Sequence, residues 1–224
     1  MDIFSKDQLS RLSHNVAHDL KAPLRKIRQF SELLELDYSD ALTGDGELYL
    51  EALKESSSQI SDLVDSLLNY VRYLTDRYEF GAVDLNEVVE EQRLKFGPDV
   101  KVTAIELPKV KASPELMGVL FSNLLSNAVR FVKADTNPII KISSKALQDG
   151  DAIHLEDNGI GISGTGSEKI FEPLVRLHTK SEFEGSGMGL AQCKVICDLH
   201  GWNIAHFGNE TGGTTFEIKL FRAV

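Results

Sequence analysis

Two stretches of this chain keep an apolar residue at every third or fourth position, and that spacing permits little except long amphipathic helices. From residue 6 to residue 36, Leu9, Leu12, Val16, Leu20, Ile27, Phe30 and Leu34 recur at helical spacing with charged residues between them. From about Glu47 to about Tyr78, Leu53, Ile60, Val64, Leu67, Val71 and Leu74 step by threes and fours, and Ser57 takes the one small slot. That is an a/d seam sustained over several heptads. Between the two, Thr43-Gly44-Asp45-Gly46 reads as a turn, because two glycines so close together do not continue a helix. A helical hairpin with one continuous apolar stripe follows. A lone hairpin cannot cover that stripe, so two hairpins pairing as a homodimeric four-helix bundle is the expected solution. On spacing alone, a coiled-coil spacer fits equally well.

Glu79-Phe80-Gly81-Ala82 breaks the heptads, and the chain then changes character. Asn86 to Lys95 reads as helix, and Val100 to Leu107 and Val110 to Ala112 as short strands. Ser113-Pro114-Glu115 is a helix start, with Ser at the N-cap, Pro at the first helical position and an acid in the first turn. Strands are expected at about Ile139 to Ser144 and Ala152 to Glu156. A glycine-rich stretch then leads into a helix from about Gly187 to Leu199, and strands at Asn203 to Phe207 and Thr214 to Leu220 close the chain. Mixed strands and helices of this order imply an α+β domain with helices on one face of a mixed sheet. The expected domains are residues 1–80 and 81–224.

Composition narrows the function classes. With 24 basic against 34 acidic residues the net charge is −10, which disfavours nonspecific nucleic-acid binding and offers no polybasic membrane anchor. The longest apolar run, Leu116 to Phe121, is far too short to span a bilayer, and Met1 to Asp7 shows no secretory pattern. A soluble, cytoplasmic chain is expected. The only two cysteines, Cys193 and Cys197, exclude a disulfide framework and a four-cysteine zinc site. Four apart on a helix with Val195 and Ile196 between them, they read as small core residues rather than a redox pair.

Several groups carry chemistry. Asp157-Asn158-Gly159-Ile160-Gly161 directly follows a strand. An acid there can accept from an exocyclic amine while the glycines allow close backbone approach, although an ordinary turn has the same composition. Gly185-Ser186-Gly187-Met188-Gly189-Leu190 runs into a helix whose free amides and dipole suit phosphate oxygens. It lacks the Gly-Lys-Ser/Thr of a P-loop, and no obvious strand enters it as a dinucleotide fingerprint requires. Asn123 and Asn127 lie four apart, so both amides share a helix face. An amide oxygen is a hard neutral ligand suited to a Mg²⁺ that bridges nucleotide phosphates, with Arg130 one turn on; solvated or capping asparagines are the plain alternative. Gly212-Gly213-Thr214-Thr215-Phe216 reads as a strand-entry turn. His18-Asp19-Leu20-Lys21-Ala22-Pro23-Leu24 lies inside the first long helix, where Pro23 is expected to bend it. A histidine beside a carboxylate is a nucleophile–base pair, and His14, one turn earlier, competes for the role.

In this order these elements resemble the sensor histidine kinases of two-component signalling, over nearly the whole chain from about Lys6. His18 to Leu24 is similar to the H-box, Asn123 to Phe131 to the N-box, Asp157 to Gly161 to the G1 box, Ile170-Phe171-Glu172-Pro173-Leu174 to the F-box, and Gly185 to Leu190 to the G2 box. The wording Lys-Ala-Pro-Leu-Arg-Lys is similar to that of phytochrome-like members. The resemblance implies a dimerisation and phosphotransfer hairpin followed by an ATP-binding domain of the Hsp90, gyrase and MutL type. It implies His18 as phosphoacceptor, chosen over His14, and Asp19 as its proton acceptor. It also implies Asn127 as the Mg²⁺ ligand with Asn123 beside it, Arg130 near the phosphates, and Asp157 on adenine. Gly159, Gly161, Gly185, Gly187 and Gly189 would shape the nucleotide pocket and its lid. The implied reaction is autophosphorylation from ATP and transfer to an aspartate of a response regulator receiver domain. Lys21, Arg25, Lys26 and Arg28 suit the acidic pocket of such a receiver, and equally a solvated face of mixed charge. Ala22 departs from the Thr or Asn that many relatives carry there, which speaks against phosphatase activity. Nothing resembles a sensor domain, so a separate protein supplies the signal or the chain is the transmitter portion of a longer one. The alternative function is a non-catalytic phosphotransfer or docking protein on the same fold; it would not need Asp157, Asn127 and the glycines.

Overall fold

The computed structural model describes residues 5–39, 41–162, 167–177 and 185–221. Residues 1–4, part of the N-terminal stretch read above, and residues 163–166 and 178–184 of the glycine-rich stretch lie outside the described residues. The chain divides into two compact units, Met1–Asp76 and Arg77–Val224.

The first unit is a hairpin of α1 (Lys6–Tyr38) and α2 (Asp45–Thr75). Helix α1 opens on a capping box, in which Ser5 Oγ accepts from the Gln8 N–H and the Gln8 side chain accepts from the Ser5 N–H. It stays helical through Pro23. Helix α2 starts inside the expected turn: Gly44 takes a left-handed φ of 60°, and Asp45 and Glu47 fill the first turn, where acids complement the helix dipole. It ends at Thr75, earlier than expected, because Asp76 is extended.

The buried positions of the hairpin are spaced by sevens, Ala17, Leu24 and Ser31 on α1 and Leu50, Ser57, Val64 and Val71 on α2, with Tyr73 near the end of α2 as the one addition among the described residues. Ser57 fits the seam because its Oγ donates to the Leu24 carbonyl at 3.1 Å. Lys54 reaches Glu35 at 3.0 Å, and Lys21 pairs with Asp65, so both ion pairs bridge the two helices. The remaining seam residues Leu20, Ile27, Phe30 and Leu34 of α1 and Leu53, Ile60 and Leu67 of α2 stay 40–63% exposed.

The second unit runs β1 (Gly81–Asp84), α3 (Leu85–Arg93), β2 (Lys101–Ile105), β3 (Lys109–Ala112), α4 (Pro114–Arg130), β4 (Ile139–Leu147) and β5 (Gly150–Asp157). A single 3₁₀ turn (Ser167–Lys169), α5 (Gly189–Leu199), β6 (Asn203–Gly208) and β7 (Thr214–Phe221) follow. Five strands form one mixed sheet in the order β2-β4-β5-β7-β6; β2 and β4 are parallel and the other pairs antiparallel. β1 pairs with β3 in a separate two-stranded ribbon. The expected helix start at Ser113-Pro114 is present, but the Ser113 hydroxyl makes no cap bond. Instead, the Ser113 N–H donates to His200 Nε2 at 3.2 Å.

Register shows how the core forms. Ile142, Leu155 and Phe216 lie opposite one another across β4, β5 and β7, and Ile153, Ile218 and Ile204 do so across β5, β7 and β6. All six are buried, under α4 and α5, whose Leu116, Leu120, Leu124, Cys193 and Ile196 are fully buried. The alternate residues form a polar face, with His154 against Glu217 at 3.1 Å and Lys141 against Glu156 at 4.0 Å. Cys193 and Cys197 are free and buried; burial raises the Cys197 thiol to about 12, so both act as small core residues. Trp202 packs at the corner between α5 and β6, its ring 4.6 Å from that of His200, which in turn lies 4.8 Å from Phe80.

Candidate functional site

In the hairpin, His18 and Asp19 stand on α1 with side chains 78% and 83% exposed, and His18 Nδ1 lies 3.2 Å from Asp19 Oδ1. A carboxylate only accepts, so this contact puts the ring proton on Nδ1 and leaves the Nε2 lone pair facing solvent. His14 is exposed as well and has no such neighbour among the described residues. Ala22 is exposed one turn from His18. Of the basic residues nearby, Lys21 is held by Asp65 and Arg28 lies 3.8 Å from Glu32. Arg25 and Lys26 make no ion pair among the described residues.

In the second unit the strand alternation that buries Ile153 and Leu155 also turns Asp157, the last residue of β5, toward the helix-covered side. Its residue is 8% exposed. Oδ1 accepts from the Gly159 N–H and the Thr214 N–H, both at 2.9 Å, and Oδ2 accepts from no described residue. Burial pushes this carboxyl above its ordinary range, and the two backbone donors pull it back. The result is a buried acceptor with one oxygen satisfied and the other open to a donor such as an exocyclic amine.

The glycines around it are required by the protein's own backbone. A Cβ at Gly159 would stand 2.5 Å from the Phe131 carbonyl, and one at Gly161, where φ is +76°, 2.6 Å from the Gly212 carbonyl. Helix α4 therefore ends hard against the loop after β5, and the Ile160 N–H donates to the same Phe131 carbonyl at 2.9 Å.

The two asparagines of α4 differ. Asn123 Nδ2 donates to Gln192 Oε1 of α5 at 3.1 Å, which ties the two helices, and its Oδ1 lies 3.4 Å from where a Cβ of Gly189 would stand. Asn127, half-buried, has no side-chain partner among the described residues, so its amide oxygen is available to a ligand. No group of three His, Cys, Asp or Glu side chains gathers as a metal site among the described residues. A cation held by Asn127 would draw its other ligands from water and phosphate, as Mg²⁺ does.

Arg130 at the end of α4 is exposed, and its Nη1 lies 2.9 Å from the position of a Gly185 Cβ. A second arginine that the sequence reading passed over, Arg176, donates from Nη1 to the Gly185 carbonyl at 2.7 Å. The Leu174 N–H donates to the Gly187 carbonyl at 3.2 Å, so the segment after Phe171 is knitted to the glycine turn ahead of α5. Gly187 has φ +72° and lies against Arg176, Val175 and Leu174. Two cations thus flank backbone at a helix N-terminus, an arrangement suited to phosphate oxygens. Asn209 beside Asp157 had no mark in the sequence, and Gly213 and Thr214, read above as part of a strand-entry turn, also serve Asp157: the Thr214 N–H donates to its Oδ1 and Asn209 Nδ2 to its carbonyl.

Residues 112–223 match the family described as histidine kinase-, DNA gyrase B- and HSP90-like ATPase, and residues 8–74 match the His Kinase A (phospho-acceptor) domain. The phytochrome-like protein Cph1 of Synechocystis is 33% identical over 223 residues, covering 96% of this chain and 29% of its own. Cyanobacterial phytochrome A of Nostoc is 32% identical over 222 residues, with the same two shares, 96% and 29%. The chain therefore spans under a third of the length of these relatives. Among solved structures, full-length ShkA in complex with AMPPNP has a similar fold at 22% identity, with a TM-score of 0.68 over 99% of this chain and 47% of that one. The catalytic domain of the histidine kinase ThkA matches at 27% identity and a TM-score of 0.53, over 64% of this chain and 95% of that one. No helix among the described residues is long and apolar enough to cross a membrane.

Proposed function

The chain belongs to the histidine kinase family, with a phospho-acceptor region followed by the family's ATPase region, and from that premise we propose that it phosphorylates itself on His18 from ATP and passes the group to an aspartate of a response regulator receiver. The observation that carries the proposal is the exposed His18–Asp19 pair at 3.2 Å within the matched phospho-acceptor residues. Nε2 of His18 attacks the γ-phosphorus, the bond from that phosphorus to the β,γ-bridging oxygen breaks, and ADP departs. The Nδ1 proton passes to Asp19, leaving a neutral phosphoramidate ring. Residues 1–80 would supply dimerisation and phosphotransfer, and residues 81–224 ATP binding.

In the nucleotide site, Asp157 accepts from the adenine amine, supported by its burial and its open Oδ2. Asn127 would hold Mg²⁺, which supplies charge neutralisation along the phosphates. Asn123 positions α5 through Gln192, and Arg130 meets the phosphate side. Gly159 and Gly161 hold the loop after β5 in place, while Gly185, Gly187 and Gly189 form the turn that carries the lid. The exposed stripe of Leu20, Ile27, Phe30 and Leu34 with Leu53, Ile60 and Leu67 is the surface through which a second copy completes a four-helix bundle. Arg25 and Lys26 would meet the acidic pocket of the receiver. The need for ATP puts the reaction in the cytoplasm.

The test is incubation of the full chain with Mg²⁺ and γ-labelled ATP. Acid-labile, base-stable label is expected, absent in His18→Gln while ATP affinity is kept, and nearly unchanged in His14→Gln. Label that survives His18→Gln and disappears in His14→Gln would move the phosphoacceptor one turn along α1.

A further inference from the structure

We propose that Asn209 is a positioning residue for nucleobase recognition: its side chain builds the turn between β6 and β7 around Asp157 and so fixes which carboxylate oxygen is presented. The inference rests on reading Asp157 as the adenine contact. Asn209 Oδ1 accepts from the Thr211 N–H at 3.1 Å, the Thr211 hydroxyl at 2.7 Å and the Gly213 N–H at 2.9 Å. Its Nδ2 donates to the Asp157 carbonyl at 2.8 Å and the Thr214 carbonyl at 3.2 Å. Both protons of the amide are used, and its oxygen is fully subscribed. Thr211 Oγ1 also lies 3.3 Å from the Asp157 carbonyl, but it has one proton to give, and the shorter contact to Asn209 takes it.

These bonds have one destination. They hold Gly213 directly on the Asp157 main chain, where any Cβ would overlap the carbonyl oxygen. The next residue then delivers its N–H to Asp157 Oδ1 at 2.9 Å. With the Gly159 N–H on the same oxygen, Oδ1 is occupied and Oδ2 is the one left to a ligand. Without Asn209 the turn loses five hydrogen bonds, Thr214 is no longer held at Oδ1, and the carboxylate gains freedom to rotate. The loss falls on base recognition and leaves the phosphoryl step alone, because no bond of Asn209 reaches α4 or the glycine turn among the described residues.

The test is calorimetry on the full chain with ATP and with inosine triphosphate, whose base carries a carbonyl where adenine carries the amine. Asn209→Ala is expected to raise the ATP Kd about tenfold, the scale of one hydrogen bond to a charged group. The preference for ATP over inosine triphosphate should fall by a similar factor, while the labelling rate at saturating ATP stays within about twofold. Added to Asp157→Asn it should cost little more, because both changes act on one interaction. Thr211→Val, which removes one bond of the turn, should move both readouts less in the same direction, and it decides the matter if Asn209→Ala does not fold. Lower thermal stability with unchanged ATP Kd and unchanged base preference would make Asn209 a turn brace and overturn the proposal, as would additive effects in the double variant. An ATP Kd unmoved by Asp157→Asn would overturn the adenine assignment itself, a distinct result.

Discussion

In residues 77–224, Leu116, Leu120, Leu124, Ile142 and Ile196 are sealed from solvent by their own chain. In residues 1–76, leucines and isoleucines of the same periodicity line the flank of the hairpin half in water, and apart from Tyr73 only one residue in seven on each helix is closed off among the described residues. Among the described residues the α+β unit lays α4 and α5 over its five-stranded sheet, so its apolar face is covered from within. The hairpin has two helices and one line of contact between them, so half of its seam has nothing of its own to meet. One unit completes its core alone, and the other is half of a core.

Four experiments probe that difference. The largest effect is expected from Ile27→Asp combined with Ile60→Asp. Charge on the exposed stripe should abolish dimerisation and most of the hairpin's helical signal, while ATP affinity stays unchanged. Sedimentation and far-ultraviolet circular dichroism check it, and a dimer of unchanged mass would break the comparison. Next, Leu124→Ala should cost the α+β unit about 2–5 kcal/mol through the cavity it leaves. Trp202, the only tryptophan, reports that unit alone, so its fluorescence midpoint should fall and should not depend on protein concentration.

A smaller effect belongs to His200, whose burial holds its ring below the ordinary histidine range. Its neutral form donates from Nδ1 to the Ile196 carbonyl at 2.7 Å and accepts at Nε2 from Ser113. The folded value is depressed, so this contribution is present above about pH 6.5 and is lost as pH falls from there through the folded value. Urea midpoints by Trp202 fluorescence should decline over that window, and His200→Gln should flatten the decline. The smallest change is Ala22→Thr, which adds a hydroxyl on the exposed side of α1. In a His18→Gln background it should raise dephosphorylation of a phosphorylated receiver several-fold; a fast rate with Ala22 in place would show that another group orients the water.

The hairpin was legible because its signal is local and repeated: glycines mark the turn, and threes and fours mark the helices. Its ends shifted where a single residue decides, as when Gly44 lets α2 begin at Asp45. In the second unit, helices and long strands were readable from periodicity, and so was the Ser113-Pro114 start. β1 was not, because Gly81-Ala82-Val83-Asp84 becomes a strand only by pairing with β3. The parallel partnership of β2 and β4 likewise has no local mark. At the site, Asp157 and the glycines stood out by composition. Asn209 and Arg176 did not, because their bonds reach Asp157 and Gly185 across 52 and 9 residues of chain.

The spacing by sevens in the hairpin has a consequence for how such chains diverge. Ala17, Leu24 and Ser31 face Leu50, Ser57, Val64 and Val71 and fix the fold of one copy, while Leu20, Ile27, Leu53 and Ile60 face outward. Two instructions are therefore written on separate stripes of the same two helices. A duplicated gene can alter the outward stripe on both helices in step, so that its product would still pair with its own kind and no longer with the parent protein, while the inward stripe is left untouched.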